Sequence, residues 1–378
     1  MSFMEHCFRR AVCCWAFLLF STEVLAFDGI AVLGDSSSTG AAANPALKFD
    51  SAVLWDVFNQ ASGLPFTAAL IPEEFRQAAG DGRFPVRLPP ATRENDGGSG
   101  WIWHHVSQSV GARSLEEHRL SFTNLLGRSL GIAPEQIIIG GENGTTSRHA
   151  WIHAARLTSF RDKDLPSKVL FFYSGNDLCG QSMDDITSAE VYGEELLRGM
   201  KYLVLNGHAD ARGTTIYIPG FMPVTSLLHE PSILEHKIYL HGAEVSCREA
   251  RARMFAPDPK TVAAHKNGED PLFQLFSAFM PPSPALFCPT LFSKMAEDSV
   301  RQSQLANRIR AYRVAQQKTV EDFNLWRGRR YPARAFDAVY IDATETLKFE
   351  GQDVAGDCFH LSAAGQGKVA KALMTKIR

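Results

Sequence analysis

Beyond its first 26 positions the sequence has no stretch approaching the roughly 18 uninterrupted apolar residues of a membrane-spanning helix. No excess of one charge is present either. Lys and Arg number 39 against 41 Asp and Glu, a formal net charge of −2, which gives no electrostatic basis for nucleic acid as a partner. Cysteine is scarce, with seven in 378 residues, and Cys7, Cys13 and Cys14 fall in the first 26. The other four, Cys179, Cys247, Cys288 and Cys358, are too scattered for a zinc site. Their even number suits two disulfides in an oxidising compartment, with three pairings open, or else four buried thiols. Internal repeats, charge blocks and low-complexity tracts are also missing. Neither a metal nor a cofactor is expected.

The amino terminus supplies the first positive feature. Arg9 and Arg10 precede the apolar stretch 11–20, and Val24-Leu25-Ala26 offers small residues for a signal peptidase. Residues 1–26 therefore read as a secretory signal, and the mature chain as a soluble product, secreted or periplasmic. The residue after the cut is Phe27, not the cysteine of a lipoprotein anchor. The remaining length, 27–378, fits one decorated domain; its oligomeric state is left open.

Five short runs read as strands: 29–33, 136–139, 168–173, 214–219 and 338–341. Each is rich in apolar, β-branched or aromatic residues and is bounded by turn formers. Between and after them lie helical stripes, Tyr192, Leu196, Met200 and Leu203 in one and Val369, Leu373 and Ile377 in another, with Ser362 as a cap. This alternation predicts an α/β fold in three layers, α/β/α, around a mostly parallel sheet. Residues 62–115 and 220–293 break the alternation and read as insertions that shape a substrate cleft.

The chemistry is concentrated at the strand ends. Ser36 follows the first strand in Gly34-Asp35-Ser36, past the carboxyl end where open α/β sheets place ligands. Near the other end of the chain, Asp357 and His360 stand three residues apart. A serine nucleophile needs a base for its proton, and that base needs a partner that fixes its tautomer. Asn176 follows the third strand, and Gly144 lies in the glycine-rich segment 140–144 after the second. Together the Ser36 N–H, the Gly144 N–H and the Asn176 amide would give a tetrahedral oxyanion three donors.

Ser36, Gly144, Asn176 and His360, in that order, resemble the four blocks of the SGNH (GDSL-type) hydrolases, the last as Asp357-x-x-His360. One departure is Ser174, where the third block usually begins with glycine. Within that superfamily the chain most resembles the catalytic part of the acyloxyacyl hydrolases, through 143–148 (Asn-Gly-Thr-Thr-Ser-Arg), 170–179 and 197–203. Phospholipase B is a more distant likeness, carried by 357–360 (Asp-Cys-Phe-His). The resemblance implies a flavodoxin-like fold, a Ser36–His360–Asp357 mechanism without metal or cofactor, and a lipid acyl ester as substrate. The apolar segments 272–279, 286–287 and 291–292 agree with the lipid.

Other residues leave alternatives open. Trp101 and Trp103 would line an acyl or sugar site, or cap the core edge. Stacking on a sugar makes a carbohydrate O-acetyl esterase the second expectation; an exported binding protein with a decayed site is the third. Arg148, by resemblance and position, orients the oxyanion loop or meets a substrate phosphate, or else stands on a helix surface. His149 and His153, four apart on a helix, read as a surface pair.

Overall fold

The computed structural model describes residues 28–40, 43, 119–141, 145–160, 164–180, 183–210, 212–240, 243–249, 289–292, 299–356 and 358–377. The signal segment, the 62–115 insertion, Trp101, Trp103, Gly144 and Asp357 lie outside them, as does much of the second insertion.

In chain order the elements are β1 (Ile30–Gly34), α1 (Ser36–Thr39), α2 (Phe122–Ser129), β2 (Ile137–Ile139), α3 (Ala150–Phe160), β3 (Lys168–Phe172), α4 (Ala189–Asn206) and β4 (Thr214–Pro219). There follow α5 (Ser226–His229), α6 (Pro231–Leu234), β5 (Lys237–Leu240), β6 (Ala243–Ser246), α7 (Pro289–Phe292), α8 (Ser299–Arg330), β7 (Phe336–Ile341) and α9 (Ala363–Met374). Five strands form one sheet in the order β2-β1-β3-β4-β7, every pair parallel. Counted along the sheet's own strands this is 2-1-3-4-5, the flavodoxin-like doubly wound order. The fold is a three-layer α/β/α domain.

Side-chain alternation on β3 separates the layers. The Phe172 ring lies 4.6 Å from that of Phe122 on α2, whereas Phe171 reaches Gly199 on α4. On the first face α2 packs with α9; on the second, α3, α4 and α8 lie side by side. Helices on both sides explain why residues 30–33 of β1 are wholly apolar and fully buried. The Tyr192–Leu196–Met200–Leu203 stripe is fully buried as expected, each side chain contributing about 1.5–3 kcal/mol of apolar burial.

The outermost strand, β7, begins at Phe336, two residues before the expected start, because its exposed Asp337 and Val339 alternate with buried Phe336 and Ala338. Asn324 of α8 covers part of this edge, accepting from Ala338 N–H at 3.0 Å and donating to its carbonyl at 2.9 Å. Within the second insertion, β5 and β6 pair as an antiparallel hairpin, which the residue pattern did not suggest. Cys247 and Cys358 form a disulfide across 111 residues. Cys179 is also disulfide-bonded, its partner lying outside the described residues.

Candidate active site at the carboxyl edge of the sheet

The strand order reverses between β1 and β3, and the crevice beyond the carboxyl ends of such neighbours is where doubly wound sheets bind ligands. Ser36 leaves β1 at this point, and Ser174-Gly175-Asn176 leaves β3. Asp35 ties the two turns together. One carboxylate oxygen accepts the Ser37 N–H at 2.9 Å as the cap of α1, and the other accepts the Ser174 N–H at 2.9 Å. Burial pushes the Asp35 carboxyl up, while these hydrogen bonds and the His360 charge oppose the rise.

Gly34 serves close approach. A Cβ there would stand 2.2 Å from the Phe172 carbonyl oxygen, and Gly34 is not among the positive-φ residues. A Cβ on Gly141 would meet the Ser38 hydroxyl at 2.1 Å, so the segment after β2 also passes close against the nucleophile turn. Thr145, immediately after Gly144, donates its hydroxyl to the Gly34 carbonyl at 3.1 Å.

Asn176 is half-buried and donates from its amide to the Thr145 carbonyl at 2.9 Å. A primary amide has two hydrogens, so one remains for a ligand. Next to it, buried Asp177 accepts the Ser147 N–H at 2.9 Å and the Ser147 hydroxyl at 2.7 Å. Burial raises the Asp177 carboxyl to about 6, and the nearby Asp35 charge adds to the rise. The backbone of this turn is held from α8, where the Tyr312 hydroxyl donates to the Asp177 carbonyl at 2.8 Å.

His360 sits just before α9. A bridge between Val354 and Leu361 closes the base of its loop, and the His360 carbonyl accepts from Ala355 N–H at 2.8 Å. The Ser362 hydroxyl accepts the Gly365 N–H at 3.3 Å as the helix cap. α2 joins this half to the nucleophile half: Thr123 donates its hydroxyl to the Ser38 carbonyl at 2.9 Å, and Phe122 N–H donates to the Gln366 side chain of α9 at 2.8 Å.

Ser36, Asn176 and His360 thus share one edge of the sheet, with Ser36 only 7% exposed. Among the described residues no hydrogen bond joins the Ser36 hydroxyl to the imidazole, a contact that often tightens only when substrate is bound. Arg148 is exposed at the entry to α3. The expected surface pair is not one. His153 is fully buried, with Nδ1 2.7 Å from the Tyr173 hydroxyl, and His149 Nδ1 accepts the Thr146 N–H at 3.2 Å. Among the described residues no cluster of His, Cys, Asp and Glu is suited to a metal.

The clamping residues Asp35, Asp177, Ser147, Thr123 and Gln366 were not singled out from sequence. Asp35 alone had a readable signal, an N-cap residue directly before a short helix. Comparison with models of known protein families finds no match for this chain. A search of curated proteins likewise finds none.

Proposed function

We propose that the protein is an exported serine ester hydrolase that releases acyl chains from lipid esters. The observation that carries this reading is the convergence at the switch point. Ser36 and Asn176 occupy adjoining turns locked by Asp35, and the His360 charge acts on that same Asp35. The lipid class rests on the resemblance of the sequence blocks and on the apolar segments of the second insertion. Export rests on the signal-like amino terminus, and the disulfides suit an oxidising compartment.

In the first step the Ser36 oxygen attacks the ester carbonyl carbon while His360 takes the hydroxyl proton. The carbonyl electrons move onto oxygen, where the Ser36 N–H, the Gly144 N–H and the Asn176 amide stabilise the charge. Collapse expels the alcohol, which receives its proton from His360, and leaves acyl-Ser36. Water, deprotonated by His360, then attacks the acyl carbon, and collapse breaks the bond to Ser36, which takes the proton back from His360 as the acid leaves. Asp357 orients the imidazole throughout.

The test is hydrolysis of p-nitrophenyl esters from acetate to palmitate by the mature protein and by Ser36→Ala. A rate that peaks at long chains and falls about 10³-fold or more in the variant is expected. A rate confined to acetate would point to sugar deacetylation. Turnover unchanged in Ser36→Ala would refute the mechanism.

A further inference from the structure

The His360 loop is held unequally on its two sides. After the histidine, the Val354–Leu361 bridge and the Ser362 cap run directly into α9. Before it, Cys358 adopts a left-handed backbone with φ of 59°, the only described non-glycine residue to do so. That conformation is uncommon for a side chain with a Cβ and persists where the surroundings impose it.

Two contacts hold Cys358 there: its N–H donates to the Ala355 carbonyl at 2.9 Å, and its sulfur is bonded to Cys247. Cys247 follows β6, and its N–H donates to the His236 carbonyl at 2.8 Å. Glu249 accepts from the adjacent Ser246 N–H at 2.8 Å, fixing the turn. This segment is itself seated on the core. Ile233 of α6 is fully buried, and a Cβ on Gly351 would stand 2.6 Å from the Ser232 carbonyl oxygen. Both cysteines are fully buried, so their bond is a fixed strut between the second insertion and the loop apex.

We propose that the Cys247–Cys358 disulfide positions the His360 imidazole for catalysis, over and above stapling the insertion to the domain. The proposal rests on the hydrolase reading. Only Phe359 stands between the bridged Cys358 and His360, and no other covalent tie reaches this loop among the described residues. Without the bridge the left-handed turn relaxes, and the imidazole loses its aim at Ser36. The nucleophile turn is clamped separately by Asp35 and Thr123 and keeps its shape. A misplacement of about 1 Å can cost about 10²-fold in rate, so the loss falls on chemistry and not on substrate binding.

The experiment compares the mature protein with Cys247→Ala/Cys358→Ala and Cys247→Ala/Cys358→Gly, each first shown to unfold cooperatively. Glycine accepts the left-handed backbone without a Cβ, so the second variant keeps the turn's geometry accessible while removing the strut. Read out are kcat and KM for p-nitrophenyl butyrate, the rate of Ser36 labelling by a fluorophosphonate, and the pH profile of kcat/KM. Expected in both variants is a fall of about 30- to 100-fold in kcat and in labelling rate, with KM within about threefold. The acid limb of the profile, which reports the free enzyme's base, should shift as well.

Retention of kcat within about threefold in the folded double alanine variant would overturn the proposal, as would recovery to wild-type rates in the glycine variant. Failure of both variants to fold would also overturn it, because the bridge would then hold the domain rather than the histidine. A wild-type protein that neither labels at Ser36 nor cleaves any ester is a separate result, which removes the hydrolase reading itself.

Discussion

Asp35 and Asp177 are two carboxylates with almost no exposure; Asp35 accepts one hydrogen bond from its own turn and one from the turn after β3, and Asp177 accepts two from Ser147. Burial is the leading cause of the upward shift in both. For Asp177, raised from 3.8 to about 6, the linkage has a definite sign. Below pH 3.8 the carboxyl is protonated whether the chain is folded or not. Between that value and about 6 the folded protein keeps the proton while the unfolded chain releases it, so stability falls as pH rises. The change is on the order of 3 kcal/mol. Asp35 just after β1, Thr187, Tyr192 on α4 and Tyr312 on α8 face the group. Asp177→Asn, which mimics the protonated acid, should therefore gain stability relative to wild type between pH 4 and pH 7, a window set by the shift above. Urea midpoints at the two pH values check this. An unchanged difference would mean that Asp177 does not titrate in that window.

At the scale of elements, the tightest helix contact is the crossing of α3 and α4. A Cβ on Gly199 would lie 2.8 Å from the Phe171 ring and 2.9 Å from the Ala150 carbonyl carbon. Alanine is the better helix former by about 1 kcal/mol, yet Gly199→Ala should destabilise by about 1–3 kcal/mol because backbone has to move. Thermal unfolding decides the sign, and a rise in Tm would show that the crossing can open at little cost. The elements that the sequence disclosed share one property: continuous apolar runs or clean helical stripes. β1, β3, β4 and the buried face of α4 are of this kind. The 32-residue α8 was not named in advance because its buried stripe passes through polar residues, Gln316 and Thr319. Gln316 is polar for a reason remote in sequence: it accepts Phe221 N–H at 2.9 Å and donates to the Pro219 carbonyl at 3.0 Å. In the site, Ser36, Asn176 and His360 were legible because each follows or precedes a recognisable element. Their clamps were not, since a Thr123–Ser38 or Phe122–Gln366 contact leaves no local pattern.

For the molecule as a whole, the expectations about export and cysteines meet in one measurement. If the chain is processed after Ala26, its amino terminus is Phe27 and the four later cysteines remain. Three of them, Cys179, Cys247 and Cys358, are disulfide-bonded. Intact-mass analysis of the exported product should show that terminus and no uptake of a thiol alkylating agent without prior reduction. One or two alkylated cysteines would count against the oxidised state. No described helix is long and apolar enough to cross a membrane.

The strand order carries a consequence for timing. Ser36 lies just after the first strand of the sheet and His360 just before α9, the last helix described. Four further strands and α8 must be laid down between them before the two can meet. Parallel pairings of this kind close late, because long loops must be ordered first. A nascent chain, a chain halfway through a translocation pore, or a fragment clipped before the His360 loop therefore holds only one half of the proposed chemistry. Under the proposed hydrolase function, the order of synthesis alone would shield the cell that makes it, with activity appearing only once the His360 loop and α9 have docked.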